Sequence, residues 1–238
     1  VDASTRNLGL SASAGSRVAR RGIDSPFPYR TGVGLTGEGA PLRIGVFGGA
    51  FDPPHLGHTA LAQSVITQLG LQRLVVIPTG HAWHKARPLT DAKHRLHMAE
   101  LAFSPVPGTD VDARETLRDG PSYTVDTLRE LQAENPGAQL YLLIGEDQAQ
   151  RLRTWHHWEQ LPALAIICVA ARADSSGAYG RFDDLANDIP GLTVLQMPPM
   201  AVSATDIRQR VASGKSIAPL VFEPVARYID QHLLYRSD

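Results

Sequence analysis

Hydrophobic residues in this chain fall into short apolar runs, separated by longer segments in which they recur with helical spacing. The short runs predict buried β-strands over residues 42–47, 73–78, 139–145, 164–170 and 192–196. The longer segments predict helices over residues 56–69, 91–103, 122–134, 203–214 and 224–234. Strands that alternate with helices form right-handed βαβ units, so we predict an α/β fold with a doubly wound parallel sheet.

The turn after the first predicted strand carries the clearest chemical signal. Gly48 and Gly49 let the backbone turn sharply and approach a ligand where a side chain would collide. Asp52 is suited to cap the helix that follows, and His55 and His58 are close enough along its first turn to face one ligand. Imidazoles donate hydrogen bonds, and the start of a helix attracts anions. The turn therefore predicts a phosphate-binding site.

Other helix and strand ends extend this predicted site. Thr79 and Gly145 follow two further predicted strands, and ligands of doubly wound sheets bind beyond the carboxyl ends of the strands. Ser203 and Asp206 form a capping box at the start of a later helix. We therefore expect a second helix N-terminus that can bind an anion.

Length and composition indicate one folded domain behind an extension. The chain has 238 residues and 43% hydrophobic content, enough for the core of a single α/β domain, which we place at residues 41–238. Residues 1–40 are rich in Gly, Ser and Arg and lack sustained periodicity, which predicts a disordered extension. An organelle transit sequence has a similar composition, but we favour a disordered leader or an over-long reading frame over it.

The charge balance gives no reason to expect a nucleic-acid or membrane partner. Lys and Arg number 23 and Asp and Glu number 24, so the formal charge is −1. The longest apolar run, residues 163–171, is too short to span a bilayer, and no secretory signal is evident. Cys168 lies in that run, where a buried structural role is favoured. We expect a soluble, cytoplasmic protein.

Two common nucleotide-binding classes are poor matches for the glycine turn. It lacks both the GxGxxG spacing and the Walker lysine, and the second strand ends in Pro78-Thr79 instead of an acid that could hold a ribose. The rival class is a metal-binding protein, because three H-x-x-H pairs occur: His55/His58, His81/His84 and His94/His97. No cysteine or HExxH motif accompanies them, so we favour the phosphate site.

The ordered motifs resemble one known family. The segment Gly48-Gly-Ala-Phe-Asp-Pro-Pro-His-Leu-Gly-His58 resembles the GxFDPxHxGH signature of the HxGH nucleotidylyltransferases. Five later segments resemble, in order, those of bacterial nicotinate-nucleotide adenylyltransferases: residues 121–128, 144–147, 154–155, 202–208 and 228–235. The resemblance covers about residues 42–236 and implies a Rossmann-like nucleotidylyltransferase fold.

Members of that family transfer AMP from ATP to nicotinate mononucleotide in NAD biosynthesis, so the resemblance implies this reaction here. It also implies roles for individual residues at the phosphates. His55 and His58 would contact the ATP phosphates, and His58 would stabilise the leaving pyrophosphate. Lys85 and Arg208 would add positive charge. The other implied ATP-binding residues are Gly48, Gly49, Gly145, Asp147, Ser203 and Thr205.

The resemblance implies an acceptor site and a metal as well. Thr124 would bind the nicotinate carboxylate, Trp155 would stack on the pyridine ring, and His156 would lie beside it. Asp147 would bind a ribose or cap the following helix, and both alternatives stay open. Mg²⁺ would be held mainly through the ATP phosphates, with no site built by the protein. The partners would be the two small-molecule substrates, and the sequence predicts no oligomeric state.

The sequence leaves open the roles of three arginines and the identity of the acceptor. Arg95, Arg114 and Arg118 are candidates to gather phosphates, although we expect at least two of them to form surface ion pairs. A related adenylyltransferase that uses nicotinamide mononucleotide or another phosphorylated acceptor is the alternative within catalysis.

Overall fold

A computed structural model describes residues 39–80, 88–172, 182–197 and 200–236. Within these ranges the strands form one parallel sheet in the order β3-β2-β1-β4-β5-β6. The strands are β1 (Arg43–Gly49), β2 (Arg73–Pro78), β3 (Thr109–Val111), β4 (Gln139–Gly145), β5 (Ile166–Arg172) and β6 (Thr193–Met197). The predicted α/β fold with a doubly wound parallel sheet is therefore confirmed.

Helices cover both faces of this sheet. They are α1 (Leu56–Leu69), α2 (Ala92–Phe103), α3 (Thr124–Glu134), α4 (Glu146–Ala149), α5 (Leu161–Leu164), α6 (Asp183–Asp188), α7 (Ala204–Ala212) and α8 (Glu223–Gln231). None of the helices in the described ranges is long and apolar enough to cross a membrane. The predicted disordered extension lies outside the described residues apart from Gly39 and Ala40, which are exposed.

The apolar strands are nearly continuous because the sheet separates two hydrophobic cores. Leu74 and Val76 of β2 belong to one core, while Val75 and Ile77 belong to the other. Successive side chains of a strand point to opposite faces, so a strand that is buried on both sides has no polar positions in its middle. This arrangement is what makes the short apolar runs visible in the sequence.

The strand order reverses between β1 and β4, and this reversal positions the site. From β1 the chain proceeds through β2 to β3 on one side, whereas β4, β5 and β6 lie on the other side. The connections therefore leave the carboxyl ends of β1 and β4 in opposite directions and open a crevice between them. The glycine turn and the Gly145 turn both lie at that crevice.

The sequence predicted most boundaries well and missed the shortest elements. The bounds of α1, β2 and β4 agree with prediction, and the others shift by one to three residues. Strand β3 and helices α4, α5 and α6 were not predicted, because three to six residues are too few to show a period. The predicted cap at Ser203 is confirmed, since its hydroxyl accepts a hydrogen bond from the Asp206 N–H at 3.1 Å.

The predicted capping role of Asp52 is wrong. Helix α1 begins only at Leu56, so its N-cap is His55, three residues beyond Asp52. The Asp52 side chain turns inward and is 2% exposed. Its carboxylate accepts hydrogen bonds from the Tyr235 hydroxyl at 2.7 Å and the Thr90 N–H at 3.3 Å. Asp52 therefore ties the β1–α1 turn to the end of the chain instead of capping the helix.

Arg95 holds the loops at the carboxyl edge of the sheet together. Its side chain is 2% exposed and lies on α2. Its guanidinium donates to the carbonyl oxygens of Ala50 (3.0 Å), Thr79 (2.6 Å) and Gly80 (3.3 Å), and its Nε donates to that of Thr90 (2.8 Å). Arg95 is therefore a structural cation and not one of the phosphate ligands considered from the sequence.

We predict that Arg95→Met lowers the free energy of unfolding by about 3 kcal/mol, because it leaves several partly buried carbonyl groups without a donor. Urea denaturation measures this effect. The matched control is Arg227→Met, which removes an exposed ion pair with Glu223 on α8 and should cost less than about 1 kcal/mol. Equal effects of the two substitutions would contradict the structural role of Arg95.

Candidate active site

The crevice at the switch point contains two connected cavities. The larger has a volume of about 700 Å³, which is within the range of small-molecule sites. Residues from every predicted part of the site line it: Gly48, Gly49, His55, His58, Thr79, Thr124, Gly145, Trp155, His156 and Ser203. The smaller, of about 310 Å³, shares His55 and His58 with it and is also lined by Asp52, Thr205 and Arg208. The two histidines therefore stand at the junction.

The two histidines are held against each other at the start of α1. His55 is the N-cap residue, His58 is the third helical residue, and their rings stack with centroids 3.7 Å apart. The backbone N–H of His55 donates to Nδ1 of His58 at 3.1 Å. An accepting Nδ1 carries no proton, so neutral His58 has its proton on Nε2. The helix start thus fixes His58 in the tautomer whose Nε2–H can donate to a ligand.

The turn before these histidines is strained and tightly packed. Phe51 has a φ of +47°, which is uncommon for a bulky residue, and is 2% exposed. Its ring makes edge contacts with Phe47, His58 and Phe103 at centroid distances of 5.4, 5.1 and 5.5 Å. Because these contacts over-determine the turn, its strained backbone and the His58 ring keep one arrangement.

Helix α7 provides the facing wall of the smaller cavity. The Arg208 guanidinium donates to the backbone oxygen of Asp52 at 2.8 Å and to the Thr205 hydroxyl oxygen at 3.1 Å. These bonds connect α7 to the turn that carries His55. The hydroxyl oxygen of Ser203 accepts the capping bond, so its O–H can still donate to an anion. The predicted second helix start therefore faces the first.

The residues assigned to the acceptor line the larger cavity together. Thr124 is the first residue of α3, so the N-terminus of this helix opens into the cavity beside Trp155 and His156. The His156 ring stacks on Tyr123 at a centroid distance of 4.1 Å and an interplanar angle of 29°. Tyr123, which was not predicted as a site residue, thereby orients His156.

Gly145 leaves open space where β4 ends, and the neighbouring Asp147 lies apart from it. A Cβ added at Gly145 or at Gly48 would meet no atom within 4 Å. Asp147 is exposed and does not line either cavity. The alternative in which Asp147 caps α4 is wrong, because Gly145 is the N-cap residue and no side chain caps this helix. Its ribose-binding role stays a prediction.

The other cationic residues considered from the sequence are Lys85, Arg114 and Arg118. Lys85 lies outside the described residues, so its role stays a prediction. Arg114 contacts Asp112 and Glu134 at 2.7 and 2.8 Å. Arg118 contacts Glu130 at 2.8 Å. The expectation that at least two of the three candidate arginines form ion pairs is therefore confirmed.

Among the histidines that suggested a metal-binding protein, His94 and His97 contact other protein side chains. Nδ1 of His94 lies 2.8 Å from the Tyr228 hydroxyl, and Nδ1 of His97 lies 3.2 Å from the Glu100 carboxylate. The described ranges contain no group of three or more His, Cys, Asp or Glu arranged to hold a metal ion. His81 and His84 fall outside those ranges.

Sequence reasoning missed one buried acid in the cavity wall. Glu115 is 8% exposed, lines the larger cavity and follows the short strand β3. Burial raises the pKa of its carboxyl group. No periodic pattern surrounds this residue, so its burial could not be read from the sequence.

Comparison with known proteins identifies the chain as a nucleotidyltransferase. The cytidylyltransferase-like family model matches residues 46–210. A protein of Albidiferax ferrireducens that bears the name "Probable nicotinate-nucleotide adenylyltransferase" is 56% identical over 195 residues, covering 82% of this chain and 98% of that protein. A protein of the same name from Methylibium petroleiphilum is 44% identical over 197 residues, covering 81% and 92%. The chain belongs to the nicotinate-nucleotide adenylyltransferase family, as its motifs indicated.

Solved structures agree with this fold. Nicotinic acid mononucleotide adenylyltransferase of Plasmodium falciparum, solved in complex with NaAD, superposes with a TM-score of 0.68 at 18% identity. The match covers 81% of this chain and 97% of that structure. At this identity the likeness demonstrates the shared fold.

We predict that Gly145→Val blocks nucleotide binding without destabilising the protein. The backbone at Gly145 (φ −77°, ψ 165°) is extended and suits a β-branched residue, whose added atoms would occupy the cavity. The KM for ATP should rise about tenfold or more. The melting temperature should stay within about 2 °C of wild type. Steady-state kinetics and thermal denaturation test this, with Gly145→Ala as the smaller step; an unchanged KM would contradict the assignment.

Proposed function

We propose that this chain transfers the AMP group of ATP to nicotinate mononucleotide, giving nicotinate adenine dinucleotide and pyrophosphate. The observation that carries the proposal is the pair of connected cavities, one lined by Arg208 and Thr205 and the other by Trp155 and His156, that meet at His55 and His58. The first suits a polyphosphate, and the second, which Gly145 also lines, suits the adenosine of ATP together with an aromatic acceptor that carries a carboxylate. The named relatives support the identity of the two substrates.

The reaction exchanges one phosphoanhydride partner for another. A phosphate oxygen of nicotinate mononucleotide attacks the α-phosphorus of ATP, and the bond from that phosphorus to the oxygen bridging to the β-phosphorus breaks. Pyrophosphate leaves with the bonding electron pair, and no covalent enzyme intermediate is needed. Such a transfer depends on alignment and on stabilising the spreading charge, so fixed donors can accelerate it without a strong base.

The phosphate end uses donors that are already in place. The N-termini of α1 and α7 direct partial positive charge at the smaller cavity. His58 donates through Nε2–H to the leaving phosphate, and His55 lies beside it. Arg208, Ser203 and Thr205 bind phosphate oxygens from the facing wall, and Lys85 adds a further positive charge. Gly48 and Gly49 let the chain approach the nucleotide closely.

The acceptor end recognises an aromatic acid. The nicotinate carboxylate lies at the N-terminus of α3, where Thr124 offers backbone and hydroxyl donors. The Trp155 indole stacks on the pyridine ring, and His156, stacked on Tyr123, borders the same space. An amide in place of the carboxylate would lose the charge interaction with the helix start. The site should therefore prefer nicotinate to nicotinamide.

The side chains at the proposed phosphate site fit a Mg²⁺ ion that would be held mainly by the phosphate oxygens of ATP. The phosphate-facing groups are imidazole, hydroxyl and guanidinium, whereas the Asp52 carboxylate, which lines the same cavity, accepts bonds from Tyr235 and Thr90. Mg²⁺ prefers oxygen ligands and readily takes them from phosphate and water. When bound through ATP, it neutralises part of the triphosphate charge. A cytoplasmic location and the absence of nucleic-acid or membrane partners stay predictions from the sequence.

Pyrophosphate release with a panel of acceptors tests the proposed reaction. The full chain is incubated with ATP, Mg²⁺ and nicotinate mononucleotide, nicotinamide mononucleotide, pantetheine phosphate or glycerol phosphate. We expect release with nicotinate mononucleotide to exceed that with nicotinamide mononucleotide, and mass spectrometry should detect nicotinate adenine dinucleotide. Greater activity with any other acceptor would overturn the assignment of the substrate.

We predict that His58→Asn lowers kcat by about 100-fold or more, because one donor to the transition state is lost. An Asn oxygen can still accept the His55 N–H, so the helix start should survive. His58→Gln is the matched variant, since its amide nitrogen reaches the position of Nε2 and should retain more activity. Single-turnover kinetics and circular dichroism separate the two effects, and near-normal turnover of His58→Asn would contradict the role.

A further inference from the structure

The buried carboxylate of Glu115 has no part in the reaction as proposed, yet it lies in the wall of the acceptor cavity. It accepts a hydrogen bond from the Thr127 hydroxyl on α3 at 2.8 Å. An interaction with the backbone N–H of Gly80, two residues after β2, also lowers the pKa of its carboxyl group. One carboxylate thus joins two segments that line the cavity from different parts of the chain.

The backbones at Gly80 and Glu115 approach each other unusually closely. A Cβ added at Gly80 would lie 1.9 Å from the backbone oxygen of Glu115 and 3.0 Å from the Ser122 hydroxyl oxygen. The Ser122 hydroxyl donates to that same backbone oxygen at 3.3 Å. On the other side, Arg95 holds the carbonyl oxygens of Thr79 and Gly80. The Gly80 peptide groups are therefore anchored from two directions.

Burying the Glu115 carboxylate costs free energy. Burial is the largest influence on its pKa and raises it, while the hydrogen bond from Thr127 lowers it. Arg118 lowers the pKa and Glu130 raises it, and these two residues are paired with each other at 2.8 Å. Among the described residues Glu115 has no ion pair of its own. A buried acid in a ligand cavity is a common mark of function.

We propose that Glu115 is a positioning residue for the acceptor nucleotide. By holding Gly80 and Thr127 on one carboxylate, it fixes the gap between the loop after β2 and the first turns of α3. Thr124 lies one turn before Thr127, so this gap determines where the helix start meets the acceptor. The inference rests on the proposed function, because it assumes that the acceptor occupies this cavity.

Two substitutions remove the connection in different ways. Glu115→Gln keeps the size of the side chain but replaces one acceptor oxygen with an NH₂ group, which can only donate. Thr127→Val removes the hydroxyl donor, and Thr127→Ser is the matched control because it keeps that donor. We expect Glu115→Gln and Thr127→Val to raise the KM for nicotinate mononucleotide roughly tenfold. The KM for ATP and kcat should change less than about twofold, and Thr127→Ser should resemble wild type.

Thermal stability separates positioning from a general structural role. Glu115→Gln removes a buried charge, so its melting temperature should lie no more than about 2 °C below wild type. If both KM values rose together with a large loss of stability, the positioning role would be overturned. If Glu115→Gln did not fold, equal kinetics of Thr127→Val and Thr127→Ser would overturn it, and a selective defect of Thr127→Val would support it.

The activity of the wild-type chain separates a failure of the Glu115 role from a failure of the proposed function. If the wild-type chain forms nicotinate adenine dinucleotide while the acceptor KM of both test variants is unchanged, the role of Glu115 fails and the proposed function stands. If the wild-type chain uses another acceptor, both are overturned.

Discussion

The guanidinium group of Arg95 is the constraint on which the site depends. It satisfies backbone carbonyls from the turn after β1, the loop after β2 and the start of α2 at once. Buried carbonyls without donors are costly, so these segments come together only around a side chain with several fixed donors. Burial lowers the pKa of Arg95, and the nearby Asp52 carboxylate partly offsets this effect. The charged form is the one that the surrounding carbonyls require.

Backbone and side chains restrain each other at the proposed phosphate site. The strained Phe51 turn is held by aromatic contacts, and the N–H of the α1 cap determines which nitrogen of His58 carries the proton. Arg208 then closes the arrangement by binding the Asp52 carbonyl. A preorganised set of donors needs little rearrangement as charge develops on the leaving group, which is the property that transfer of a nucleotidyl group demands.

The proposed acceptor side of the larger cavity is organised around Gly80. Arg95 binds the carbonyl of Gly80, and the Glu115 side chain interacts with its N–H, so two side chains on separate segments hold the same glycine. Only glycine fits, since a Cβ there would collide with the Glu115 backbone. Through Thr127 this support reaches α3, whose N-terminus faces the cavity. The donor and acceptor halves therefore share their scaffold at the carboxyl edge of the sheet.

The amino-acid sequence by itself determined the sheet, the main helices, the glycine turn with its two histidines and the Ser203 cap. These features are local: a buried strand, a helix period or a cap is written in neighbouring residues. Only the tertiary structure decided that Arg95 is a scaffold, that Asp52 turns inward and that Glu115 borders the cavity. Their roles depend on partners far along the chain, such as the 45 residues that separate Arg95 from Ala50. Burial and hydrogen bonding over such separations arise only when the sheet has brought the segments together, so no local pattern could show them.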